Sequence, residues 1–127
     1  MSCKVIQTER APAAIGPYSQ AIEVDKLLFV SGQIGLRPDT GEMISGDFEE
    51  QAKQVLANMN EVLLAASCTK NDVVAVDVFL TDMGQFGAFN QIYEQYFAGH
   101  KPARAVVEVS ALPRGAKVEV KCIAHLQ

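Results

Sequence analysis

The sequence is poor in the residues that mark a metal centre, a disulfide framework or a nucleic-acid surface. Cysteine occurs three times, at Cys3, Cys68 and Cys122, widely spaced and without a Cys-x-x-Cys pair, and the two histidines, His100 and His125, add no ligand spacing. Reduced thiols and no structural metal are expected. Basic residues are also in the minority: 11 Lys and Arg against 15 Asp and Glu give a formal net charge of −4 and a pI near 5.1. That balance disfavours nucleic acid or any other partner held through phosphate neutralisation. No apolar run approaches the roughly 18 residues that a spanning helix needs, and Met1-Ser2-Cys3-Lys4 lacks the apolar stretch of a signal peptide. A soluble, cytoplasmic protein with no membrane partner is expected.

What is present is an ordinary globular composition. Hydrophobic residues make up 49% and charged residues 20%, which excludes a disordered or collagen-like chain. A length of 127 residues suits one domain, residues 1–127, and a monomer of this size buries only about two thirds of its unfolded surface. A deep enclosed pocket would consume much of that core. A site borrowed in part from a second subunit avoids the conflict.

The pattern along the chain alternates strand and helix signals. Lys4 to Thr8 is a short strand candidate. Ala21 to Val24 and Leu27 to Ser31 flank Asp25-Lys26, a two-residue spacing that suits a hairpin although the turn lacks glycine. From Asp47 the apolar or small residues Phe48, Ala52, Val55, Leu56, Met59, Val62, Leu63 and Ala66 follow one helical face, and Asp47 with Glu50 reads as a capping box. Val73 to Leu80 is a near-continuous apolar strand, a pattern that suggests cover on both faces. A second helix is expected from about Asp82 to Phe97, with Asp82 as cap and Phe86, Phe89, Tyr93 and Phe97 on one face. Ala103 to Val109 and Lys117 to Ala124 close the series as strands. Two helices layered on one side of a mixed sheet follow from this order.

Five places hold polar groups that the core pattern does not require. Arg104, early in a strand after Lys101-Pro102-Ala103, could clamp a carboxylate bidentately, or simply face solvent or a salt-bridge partner. Glu119 sits between Val118 and Val120, so alternation turns its carboxylate to the face opposite the valines. It could activate a water as general base, or pair with Lys121 on its own face as an ordinary strand glutamate; Glu108 poses the same question. Tyr18, in the constrained turn Gly16-Pro17-Tyr18-Ser19-Gln20, could cap a pocket or lie at a surface. Ser31-Gly32-Gln33 interrupts an apolar strand, and a strand glycine marks a bulge or a close approach by ligand or backbone. Asn90 interrupts the aromatic helix face, either functionally or as a polar residue at its edge.

Six stretches in fixed order carry a further signal. Ala11 to Gln20 (APAAIGPYSQ), Phe29 to Ile34 (FVSGQI), Val78 to Asp82 (VFLTD), Asn90 to Tyr93 (NQIY), Pro102-Ala103-Arg104 and Leu112 to Glu119 (LPRGAKVE) together resemble the Rid family of enamine/imine deaminases, also known as YjgF-like proteins, over nearly the whole chain. The resemblance implies a chorismate-mutase-like α+β fold, a mixed sheet of about six strands with two helices on one face, assembled as a homotrimer with three clefts between subunits. It implies cofactor-free hydrolysis of enamines and imines such as 2-aminoacrylate and 2-iminobutanoate, made by pyridoxal-phosphate-dependent dehydratases, to 2-oxo acids and ammonia. Carried over by motif position, Arg104 would bind the substrate carboxylate, Glu119 would orient and activate water, and Tyr18, Ser31, Gly32 and Asn90 would line the cleft. Two departures stand out. Val106 replaces a cysteine found in some relatives, and the loop Phe97 to Pro102 is short, which bears on substrate preference and subunit contacts. Two other readings keep the fold: a non-catalytic trimer that binds small carboxylates to regulate a partner enzyme, and a ribonuclease or translation inhibitor, which the acidic balance opposes.

Overall fold

In the computed structural model, which describes residues 2–127, six strands form one sheet in the spatial order β1-β2-β3-β6-β4-β5. They are β1 (Lys4–Ile6), β2 (Ala21–Val24), β3 (Leu27–Gln33), β4 (Val73–Leu80), β5 (Ala103–Glu108) and β6 (Val118–His125). Only β4 and β5 run parallel, because α2 (Phe86–Phe97) forms the crossover between them. The other neighbours are antiparallel. The β2–β3 hairpin closes through Asp25 and Lys26, both with positive φ (50° and 64°). This mirror-image turn matches the strand twist and is adopted here without a glycine.

The longer helix, α1 (Phe48–Ala65), begins at Asp47, whose carboxylate accepts the Glu50 N–H at 3.0 Å. The reciprocal half of the expected capping box does not form. The Asp47 N–H instead donates to the Ser45 hydroxyl at 3.0 Å, so the loop supplies what Glu50 was expected to supply. Phe48, Ala52, Val55, Leu56, Met59, Val62 and Leu63 are buried on the sheet. Each large apolar side chain among them contributes roughly 1.5–3 kcal/mol. The second helix is shorter than the pattern suggested. Asp82 caps a 3₁₀ turn, Met83–Gln85, by accepting the Gly84 N–H at 2.8 Å, and α2 starts only after it. Glu108 proves structural: its carboxylate accepts the Met83 N–H at 2.7 Å.

Both helices cover the face carrying Leu28, Val30, Val76, Val78, Leu80, Val118, Val120 and Cys122, all buried. The opposite face is not covered by any element among the described residues. Val5, Phe29 and Val107 lie there at 57%, 42% and 46% exposure, beside partly exposed Phe79. The expectation of cover on both faces of β4 is therefore met on one face only. The reason is that both helices lie on the same side, and no other element among the described residues crosses the second face.

Two buried amides in α1 shape what surrounds the sheet's end. Gln51 donates to the Ser45 carbonyl at 2.8 Å and accepts the Lys117 N–H at 2.9 Å. Asn58 donates to the carbonyls of Ile34 and Leu36 at 3.1 and 2.9 Å. These bonds anchor the loops after β3 and before β6 to the helix, replacing the water that the buried backbone groups have lost.

Candidate active site

Glu119 sits on β6 opposite Phe79 of β4, with Val118 and Val120 turned into the core. Its carboxylate therefore emerges on the open face, as alternation requires. It lies against Gly32, where a Cβ would stand 2.2 Å from Glu119 Oε2. Only a glycine leaves room for the carboxylate, and the β3–β6 register shifts at this point, between Val30 and Gln33. The strand glycine thus marks both a bulge and a close approach. Burial pushes the Glu119 carboxyl above its usual range, opposed by the positive charge of Lys121. Lys121 shares the face and forms no ion pair within 4.0 Å among the described residues.

The carboxylate opens into a cavity of about 550 Å³ lined by Tyr18, Ser31, Gly32, Glu119, Arg114 and an apolar wall that includes Ile15, Ile34 and Leu36. Ser31 donates its hydroxyl to the Ser19 carbonyl at 2.6 Å, and its N–H to Gln20 at 2.9 Å. These bonds fix β3 against the turn that carries Tyr18. The buried Gln20 amide donates to the carbonyls of Thr8 and Pro12 at 3.1 and 2.8 Å and accepts the Thr8 N–H at 2.7 Å. The irregular N-terminal segment is held as a wall by this one side chain. Tyr18 is half exposed, at 51%.

Arg104 lies elsewhere. It pairs in register with Val76, three residues along β4 from Phe79, and an odd offset reverses the face. Arg104 is thus on the helical face, where Nη1 donates to Asn90 Oδ1 at 2.8 Å. Arg104 and Asn90 line a second cavity, of about 360 Å³, together with Tyr93, Glu94 and Gly99 to Pro102. The short loop closes tightly: Ala98 and Gly99 take positive φ of 50° and 98°, and His100 Nε2 donates to the Val73 carbonyl at 2.7 Å. Val106, on the same face as Arg104, packs against the core.

The structure therefore joins Tyr18, Ser31, Gly32 and Glu119, joins Asn90 and Arg104, and does not join the two groups within one chain. Arg114 was missed as a lining residue. Its sequence signals were the turn Pro113-Arg114-Gly115 and its place in the LPRGAKVE stretch, neither of which assigned it a role, and it takes a left-handed backbone with φ of 59°. Its guanidinium is tied to the Gly41 carbonyl at 3.0 Å. The cysteines lie outside both cavities, and burial pushes the Cys122 thiol up to about 12, which keeps it protonated and inert at neutral pH.

The Endoribonuclease L-PSP family model matches residues 8–126. The chain belongs to the Endoribonuclease L-PSP family. A relative from Mus musculus, 2-iminobutanoate/2-iminopropanoate deaminase, is 54% identical over 121 residues, covering 95% of this chain and 90% of its own. A crystal structure of the conserved Rid protein family member YyfA from Yersinia pestis superposes with a TM-score of 0.96 at 48% identity, over 98% of this chain and all of that one. E. coli TdcF with bound serine superposes at 0.93 and 38% identity, over 98% and 99% of the two chains. The Rid resemblance and the expected α+β fold, a mixed six-stranded sheet with two helices, both hold for this L-PSP member.

Proposed function

We propose that this protein hydrolyses 2-imino and enamino acids to 2-oxo acids and ammonia, in clefts completed between copies of the chain in a cytoplasmic homotrimer. The observation that carries the reading is the division of the site. Among the described residues, a partly buried carboxylate without an ion-pair partner faces one cavity, and a guanidinium without an ion-pair partner faces another, on opposite sides of one sheet. In a cyclic assembly, the Arg104 side of one subunit can meet the Glu119 side of the next.

The chemistry asks little more of the protein. Arg104 holds the substrate carboxylate through paired N–H donors, and Asn90 keeps the guanidinium in place. Glu119 accepts a proton from a water as its oxygen attacks the imine carbon and hands that proton to the imine nitrogen, and the carbinolamine hydroxyl proton follows the same route to the departing nitrogen as the C–N bond breaks. Collapse of the resulting carbinolamine releases ammonia and leaves the 2-oxo acid. Because such imines also hydrolyse in water, positioning and one base supply sufficient acceleration. The mouse relative's name, 2-iminobutanoate/2-iminopropanoate deaminase, supports this substrate class for the chain.

The family description points to RNA cleavage instead. Against it stand the net charge of −4 and an L-PSP cavity whose lining offers one cation, Arg114, among the described residues. A backbone of phosphates needs a basic stripe. The test is coupled turnover: the purified protein speeds ammonia release from 2-iminobutanoate generated in situ, and both Arg104→Ala and Glu119→Gln lower the rate at least about tenfold. Full activity in Glu119→Gln would remove Glu119 from the mechanism, and a wild-type protein that binds carboxylates through Arg104 without speeding ammonia release would convert the reading to a non-catalytic carboxylate binder.

A further inference from the structure

The aromatic stripe of α2 runs through Phe86, Phe89, Tyr93 and Phe97, with Asn90 set among them, and the structure explains why a core-facing stripe is interrupted by an amide. Where the stripe passes the edge of the sheet, it meets a cation. The Arg104 guanidinium carbon lies 4.8 Å from the Tyr93 ring centroid and 5.8 Å from that of Phe86. Asn90, one turn after Phe86 and one before Tyr93, receives its N–H at 2.8 Å. Tyr93 is buried and its ring is itself braced by Phe89 and Phe97, with centroids 5.6 and 4.7 Å away. The platform is therefore rigid and fixed to the core.

We infer that Tyr93 and Phe86 are positioning residues that hold Arg104 for a substrate carboxylate, an inference that rests on the reading of Arg104 given above. A guanidinium is commonly held by a carboxylate, which fixes it and also cancels its charge. Here the ion pairs among the described residues are Arg10–Glu61 and Arg37–Asp39, and Arg104 is held by two ring faces and a neutral oxygen. Ring faces attract the cation through their quadrupole and restrict it to a plane without supplying a competing anion. One N–H is used on Asn90, so the rest of the fork stays available for a bidentate ligand. The Tyr93 hydroxyl accounts for none of this. It is buried with no hydrogen-bond partner among the described residues, so the ring and not the phenol carries the role.

The experiment compares Tyr93→Leu, Tyr93→Phe, Phe86→Leu and Arg104→Ala on 2-iminobutanoate generated in situ. Tyr93→Leu and Phe86→Leu are expected to raise KM about three- to tenfold with kcat within about twofold, and Tyr93→Phe to restore the wild-type KM. Phe86 is 38% exposed, so Phe86→Leu keeps the test alive if Tyr93→Leu fails to fold. Unchanged KM in the leucine variants, beside an Arg104→Ala that has lost turnover, overturns the cradle alone. Full turnover in Arg104→Ala overturns the carboxylate reading and the cradle with it.

Discussion

At the residue scale the decisive pair is Gly32 and Glu119. A methyl group on Gly32 would stand 2.2 Å from Glu119 Oε2, well inside contact distance, and one of the two must move. Gly32→Ala is expected to fold, because the carboxylate can swing into the cavity, and to lose at least about tenfold in kcat through a misplaced base. Steady-state kinetics beside circular dichroism checks both halves, and wild-type kcat in the folded variant would remove Glu119 from the mechanism. The direction of the Glu119 shift gives a second test. Burial raises its pKa above the ordinary 4.5, so the acid limb of kcat/KM should lie above the normal carboxylate range, with activity rising as pH climbs through it. The sign for stability is opposite. A carboxyl whose folded pKa is raised destabilises the fold above that value, where it is ionised in both states, and the penalty fades as pH falls toward 4.5. Glu119→Gln should therefore unfold at a higher temperature than wild type at pH 7, with the gap closing in acid. A Tm difference that widens on acidification would contradict the burial argument.

At the element scale, periodicity located both helices and all six strands, because apolar spacing records which face is buried and burial is the larger energy. Ends were read less well. The capping box failed in its second half because Ser45, outside the helix, competes for the Asp47 N–H, and the aromatic helix starts late because Asp82 is spent on a 3₁₀ turn. Neither contest is visible in a local pattern. Of the site, the residue types at Arg104, Glu119 and Gly32 were legible, whereas their division between two faces depended on register, which pairs Arg104 with Val76 and Glu119 with Phe79. Arg114 was hidden because a turn residue reveals neither its side-chain direction nor its reach to Gly41. The β2–β3 turn offers a prediction of its own. Lys26 holds a φ of 64°, a left-handed conformation that costs a side chain roughly 1 kcal/mol or more and costs glycine little. Lys26→Gly should raise stability by about 0.5–1 kcal/mol after the added freedom of the unfolded chain is counted, seen as a Tm increase of about 2–5 °C. A lower Tm would mean that the lysine side chain contributes more than the turn strain.

At the scale of the whole molecule, the uncovered sheet face and the divided site point to the same answer. A face bearing Val5, Phe29 and Val107 at 42–57% exposure suits burial against another copy, and the proposed pairing of Arg104 with Glu119 across opposite sides of a sheet calls for one. The proposal makes a quantitative claim that no single-chain site can reproduce. Arg104→Ala and Glu119→Gln each destroy every cleft in a homotrimer, since each cleft then lacks one of its two groups. In trimers assembled at random from equal amounts of the two variants, a cleft works when its Arg104 side comes from the Glu119→Gln chain and its Glu119 side from the Arg104→Ala chain. Each condition holds half the time, so about one quarter of wild-type activity should return on co-expression or on unfolding and refolding together. Mixing without subunit exchange should restore nothing, which separates complementation from trace contamination. Activity that stays at the level of the two parents after verified exchange would place Arg104 and Glu119 in sites that do not cooperate.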